Sequence, residues 1–110
     1  MNKEDKARIL AELGGLPEKI YDELVTEHLQ QTKARCSQIR YALDSDNLED
    51  AHQIAHTIKG ASGNLRLQTL YDAALAIEIG VKTGEPKEVL LEKQAHLEKS
   101  TDDLILSFKG

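Results

Sequence analysis

Residues 51–65 read Ala51-His52-Gln53-Ile54-Ala55-His56-Thr57-Ile58-Lys59-Gly60-Ala61-Ser62-Gly63-Asn64-Leu65, and this stretch shows the helical pattern of the chain most clearly. At about 100° per residue, one stripe collects its small and apolar side chains, namely Ala51, Ile54, Ala55, Ile58, Ala61, Ser62 and Leu65. His56 lies at nearly the opposite pole, so the pattern predicts an amphipathic helix with a histidine facing water. Roughly the same exposed face holds His52, Gln53, Lys59, Gly60 and Gly63.

The whole chain has the composition of an ordinary globular domain. Its 110 residues suffice for one hydrophobic core, so we expect a single domain over residues 1–110. Hydrophobic residues make up 40% and charged residues 30%, which argues against disorder, and the absence of Trp predicts an aliphatic core. The one cysteine, Cys36, excludes an intramolecular disulfide and is expected to be a small buried side chain.

The start of the chain, Met1 to Lys6, carries charges of both signs. No apolar run long enough for a signal peptide or a membrane span follows it. We therefore expect a cytoplasmic protein that has no membrane partner.

The distribution of charge is uneven. A formal net charge of −5 argues against nucleic-acid binding, which needs a basic surface. Between His52 and Leu70, however, the chain has two basic residues, Lys59 and Arg66, and no acidic one. This local excess of positive charge predicts an anionic partner or group at the exposed face of the helix.

The rest of the chain predicts four further helices. These are a short one from Lys3 to Leu13 ended by Gly14-Gly15, a long one from Pro17 to the turn at 44–47, one from about residue 68 to Gly84-Glu85-Pro86, and one from about Lys87 to Phe108. In the last, spacings of four and three relate Leu90, Gln94, Leu97, Thr101, Leu104 and Phe108. We therefore predict an all-α fold, an antiparallel four-helix bundle with a short additional N-terminal helix.

The exposed face around His56 suits phosphoryl chemistry. A glycine inside a helix costs about 1 kcal/mol relative to alanine, and neither Gly60 nor Gly63 is on the apolar stripe, so we expect a reason other than packing. A side chain at Gly60 would lean over His56, and Gly63 keeps the next turn low. Lys59 leans toward the same space with a mobile ammonium. Since neutral imidazole is a nucleophile near pH 7, the face favours a transient phosphohistidine.

The segment from His56 to Leu65, preceded by Ala55, resembles the phosphoacceptor motif of histidine-containing phosphotransfer (HPt) domains. The resemblance extends along nearly the whole chain. It implies that His56 accepts a phosphoryl group from the aspartyl phosphate of a receiver domain and passes it to another receiver. The domain itself would be a carrier without autonomous catalytic activity. Since the receiver brings Mg²⁺, no cofactor is expected on this chain.

The resemblance also implies partners and supporting residues. The partners would be response-regulator receiver domains and a hybrid sensor histidine kinase, and we expect the chain to be a monomer. Glu78 matches a position on the following helix where a Gln or Glu contacts the phosphoacceptor ring, and a carboxylate there can take the proton of one ring nitrogen. His52 and Gln53 are expected at the rim of the docking face.

Arg66 departs from the family pattern, which usually has glycine directly after the residue that matches Leu65. We expect Arg66 at the flank of the face. There it would either add an anion contact or alter which receiver domains fit.

Two other classes of function fit part of the pattern. A non-catalytic helical adaptor would dock a signalling partner through the same face. A bundle metalloprotein would use His52 and His56, which are four residues apart, but the residues between them lack the glutamate of the metalloprotease motif, so we expect no metal site. His28 and His96 carry no comparable signal.

Overall fold

The computed structural model describes residues 1–109, and these form five helices without a strand. The helices are α1 (Lys3–Glu12), α2 (Glu18–Asp44), α3 (Leu48–Asn64), α4 (Gln68–Lys82) and α5 (Lys87–Lys109). The predicted all-α fold class is thereby confirmed, with helix bounds close to the predicted ones. Gly110, the last residue of the predicted domain, lies outside the described residues. Over the described part of the chain, none of the helices is long and apolar enough to cross a membrane.

The four longer helices enclose the hydrophobic core. α2 packs against α3 and α5, and α4 packs against the same two helices, so each helix has two neighbours in a closed bundle. The core is aliphatic as predicted, and its largest buried aliphatic side chains are Leu29, Ile39, Leu43, Ile58, Leu70, Ile77, Leu90 and Leu97. Cys36 is buried among them, also as predicted. Tyr21, the one fully buried aromatic among the described residues, donates its hydroxyl to the Leu65 carbonyl at 2.7 Å.

The C-terminal end of α3 needs a residue in the left-handed backbone region. The Leu67 amide donates to the Ser62 carbonyl, and the Arg66 amide donates to the Gly63 carbonyl. This is the Schellman arrangement, which satisfies carbonyls that would otherwise lack partners. Arg66 has a φ of +60°, a value that glycine adopts without strain. Gly84 occupies the corresponding place after α4.

The short helix α1 lies at the end of the bundle where α3 meets α4. Ile9 is its one buried side chain. Leu10 packs against the core while only partly buried, and polar contacts add to the attachment: Lys6 Nζ lies 3.0 Å from Glu18 Oε1, and Arg66 Nε lies 3.4 Å from Glu12 Oε2. Because exposed ion pairs contribute little to stability, we infer that α1 is held less firmly than the other helices.

Candidate functional site

α3 turns its predicted stripe toward the core. Four members of the stripe are buried and three are half-buried, namely Ala51, Ala55, Ile58 and Ser62 in the first group and Ile54, Ala61 and Leu65 in the second. The side chain of His56 is 58% exposed on the opposite side. The histidine therefore faces water, as the helical period predicted.

Glu78 from α4 lies beside the ring of His56. Both of its carboxylate oxygens lie 3.3 Å from His56 Nδ1, and the carboxylate is only 12% exposed. An ionised carboxylate can only accept hydrogen bonds, so the proton of the neutral imidazole belongs on Nδ1 and the lone pair on Nε2. The fold thus brings together the two residues that the family resemblance paired.

Two other basic side chains of α3 also contact the carboxylate of Glu78. Lys59 Nζ lies 3.0 Å from Oε1, and His52 Nε2 lies 3.7 Å from Oε2. Burial raises the pKa of Glu78, but hydrogen bonds from Lys59 and His56 outweigh it, so the pKa lies below its usual value. Glu78 is therefore ionised at neutral pH. Lys59 is half-buried on this carboxylate and is not the mobile ammonium above the ring that the sequence suggested.

The predicted excess of positive charge is largely neutralised in the folded chain. Glu78 comes from α4 to pair with Lys59, and Glu12 comes from α1 to pair with Arg66. Both cations of the sequence window therefore have a carboxylate from another helix. The expectation of a basic surface was wrong for Lys59, because a sequence window does not show which distant side chains return to it.

The two glycines of α3 occupy different surroundings. A Cβ atom added at Gly60 would have nothing within 4 Å, which agrees with the open space predicted above His56. A Cβ atom at Gly63 would lie 3.2 Å from the ring of Tyr71 on α4. The expectation that packing explains neither glycine was therefore wrong for Gly63, because the missing side chain there lets Tyr71 approach α3.

The three predicted docking residues differ in position. His52 is half-buried against Glu78, whereas Gln53 is exposed and its carbonyl accepts a hydrogen bond from the Thr57 hydroxyl at 3.1 Å. Arg66 turns back onto its own helix, where its Nη1 donates to the Gly63 carbonyl at 2.9 Å. Arg66 thus links the end of α3 to α1 and makes no contact with the His56 cluster.

No role was predicted for His28, yet it packs against the buried side of α3. It is 5% exposed, and its Nε2 is 2.9 Å from the Ser62 hydroxyl. Burial, aided by the charge of Arg35, lowers the pKa of His28. A signal was present in the alternating spacing of four and three that joins Tyr21, Val25, His28 and Thr32, which is the spacing of a bundle-facing stripe.

The arrangement of the described side chains does not favour a metal site. Over the described residues, no group of three or more His, Cys, Asp and Glu side chains is arranged to hold a metal ion. His52 and His56 instead direct one ring nitrogen each toward the carboxylate of Glu78.

Comparison with known proteins identifies the family of the chain. A family model described as Hpt domain matches residues 23–105, which contain all of α3 and α4 and most of α2 and α5 but not α1. No curated protein and no solved structure matches the chain. Hpt domains are carriers in histidine phosphotransfer and interact with receiver domains. Since the match covers well over half of its residues, the chain belongs to the Hpt domain family.

Proposed function

We propose that this protein carries phosphoryl groups between receiver domains on Nε2 of His56. The observation that carries the proposal is the contact of His56 Nδ1 with the ionised, nearly buried carboxylate of Glu78. That contact fixes the ring proton on Nδ1 and leaves the lone pair on the exposed part of the ring.

The proposed step is an in-line displacement at phosphorus. Nε2 attacks the aspartyl phosphate of the receiver, a nitrogen–phosphorus bond forms, and the bond from phosphorus to the aspartate oxygen breaks. The aspartate leaves as a carboxylate, and no proton needs to move because Nδ1 keeps its own. The phosphorylated ring carries positive charge, which the carboxylate of Glu78 stabilises. The reverse step delivers the phosphoryl group to the next receiver.

The neighbours of His56 support this use of the ring. Open space at Gly60 admits a large partner above the imidazole. Lys59, held 3.0 Å from Glu78, keeps that carboxylate ionised beside the ring. We place Mg²⁺ on the receiver and propose that this chain, acting as a monomer, only positions the nucleophile. The proposed partners are response-regulator receiver domains and a hybrid sensor histidine kinase.

A labelling experiment tests the carrier function. Receiver domains of the source organism, each carrying a radioactive phosphoryl group, are mixed with the parent protein, with His56→Gln and with His96→Gln. His96 is an exposed histidine of α5 and serves as the matched control. We expect an acid-labile, alkali-stable label on the parent and the control and none on His56→Gln. Equal labelling of His56→Gln would contradict the proposal, and a receiver that binds without transferring label would favour the adaptor.

A further inference from the structure

A second surface feature lies further along α3 from His56. We propose that the cleft between α1 and the α3–α4 turn receives an acidic side chain of the receiver domain that docks over His56, an inference that rests on the proposed function. The cleft has a volume of about 620 Å³. Arg8 and Glu12 line it from α1, Gly63 from the last turn of α3, Arg66 from the α3–α4 turn and Tyr71 from α4. We call it the α1 cleft.

The α1 cleft and the phosphoacceptor lie on one face of the α3–α4 pair. His56 meets Glu78 at one level, and Gly63 meets Tyr71 at another. Each helix advances by seven residues between the two levels, which is about two turns, about 10 Å along the axis and only about 20° around it. The groove between α3 and α4 therefore runs from His56 directly into the α1 cleft.

A protein interface of ordinary size that is centred on His56 is wide enough to include the α1 cleft. A standard interface buries about 800 Å² on each partner, which corresponds to a patch about 30 Å across. A receiver centred on His56 would then extend about 15 Å in each direction, beyond the roughly 10 Å to Gly63. The α1 cleft would lie within its contact area, near the rim.

The charges of the α1 cleft favour a carboxylate as its occupant. Two guanidinium groups, those of Arg8 and Arg66, and one carboxylate, that of Glu12, line the cleft. Arg8 is 67% exposed, and Asp5 of its own helix lies 3.6 Å away. The Arg66–Glu12 pair is also exposed, so it exchanges partners at little cost in free energy. Guanidinium groups bind carboxylates through two parallel hydrogen bonds, which gives the contact its direction.

The backbone of Arg66 supports the same inference. Its φ of +60° strains any residue that has a Cβ atom, by about 1 kcal/mol, whereas glycine would relieve the strain. The side chain of Arg66 bonds the Gly63 carbonyl and pairs with Glu12, and these contacts hold its guanidinium in the α1 cleft beside Arg8.

Reversal of one charge tests the proposal. We compare the parent with Arg8→Glu and with the control Arg40→Glu, which makes the same change in net charge at an exposed position of α2. Initial rates of transfer from a phosphorylated receiver are measured against receiver concentration at low and at high ionic strength. For Arg8→Glu we expect KM to rise about ten-fold at low salt with little change in kcat, and the effect to shrink as salt screens the contact. For Arg40→Glu we expect KM within about two-fold of the parent.

The outcomes separate this inference from the proposed function. Phosphoramidate, a small phosphoryl donor, labels a reactive histidine without docking. If neither phosphoramidate nor any receiver labels the parent, the carrier function fails. If the parent is labelled but Arg8→Glu and Arg40→Glu share one KM, the inference about the α1 cleft is overturned. Arg66→Gly adds an independent arm, because it relieves the backbone strain while removing a charge, so we expect KM to rise without a loss of stability.

Discussion

Two histidines lie on opposite sides of α3, and their neighbours give them different chemistry. His56 faces outward and meets the carboxylate of Glu78, whereas His28 reaches the inner side from α2 and meets the hydroxyl of Ser62. The outer ring is exposed, with its proton held on Nδ1 by an ionised acceptor. The inner ring is buried, and burial lowers its pKa so that it is neutral. Partner and burial therefore determine which imidazole is available as a nucleophile.

The largest effect is expected from removing the partner of the outer histidine. In Glu78→Ala nothing fixes the proton on Nδ1 of His56, and Lys59 loses its carboxylate. We expect the rate of phosphoryl transfer to fall by about 10–100-fold, the loss typical when a carboxylate that orients a metal-binding imidazole is removed. Single-turnover transfer from a phosphorylated receiver measures the rate.

Glu98→Ala is the matched control for that change. Glu98 of α5 is also ion-paired, with Lys33 Nζ at 3.0 Å, but it touches no histidine. We expect transfer by Glu98→Ala to stay near that of the parent, with only a small loss of stability. Equal losses of transfer in the two variants would show that Glu78 acts through the fold and not through the ring.

Leucine substitutions at the two glycines of α3 test the difference between its exposed and its packed side. Gly60→Leu fills the open space near His56, so we expect transfer to slow about ten-fold, while the free energy of unfolding stays equal or rises because leucine favours helix. Gly63→Leu forces Tyr71 away from α3, so we expect a destabilisation of about 1–3 kcal/mol. Urea unfolding and transfer kinetics on both variants measure the two effects. If Gly60→Leu lowered stability and Gly63→Leu instead slowed transfer, the proposed difference between the two glycines would be wrong.

The helical period predicted what is local in this fold. It placed the helices within a few residues, turned the apolar stripe of α3 inward and exposed His56, because each of these depends on side chains a few positions apart. It did not show the contacts that join distant residues, such as His28 to Ser62, 34 positions on. Periodicity shows which face points away from the core, but not which helix flanks that face or which side chains reach it. The contact of Glu78 with His56 was predicted only from the family resemblance, and the contact of Tyr71 with Gly63 was not predicted.

The smallest expected effect concerns the inner histidine and the pH dependence of stability. The pKa of His28 in the folded chain lies below its ordinary value of 6.5, so between the two values the unfolded chain binds more protons. Stability is then complete above about pH 6.5 and falls as the pH drops toward the folded value, by at most about 1.4 kcal/mol per pH unit. In His28→Gln the amide can still donate to Ser62 but does not titrate, so we expect a shallower slope.

Urea unfolding between about pH 7.5 and about pH 5.5 measures that slope for each protein. His96→Gln is the control, because it removes an exposed histidine and we expect it to keep the slope of the parent. A parent and a His28→Gln variant with the same slope would mean that the inner ring takes up its proton as easily in the folded chain as in the unfolded one. In that case the buried contact with Ser62 would no longer distinguish the inner histidine from the outer one.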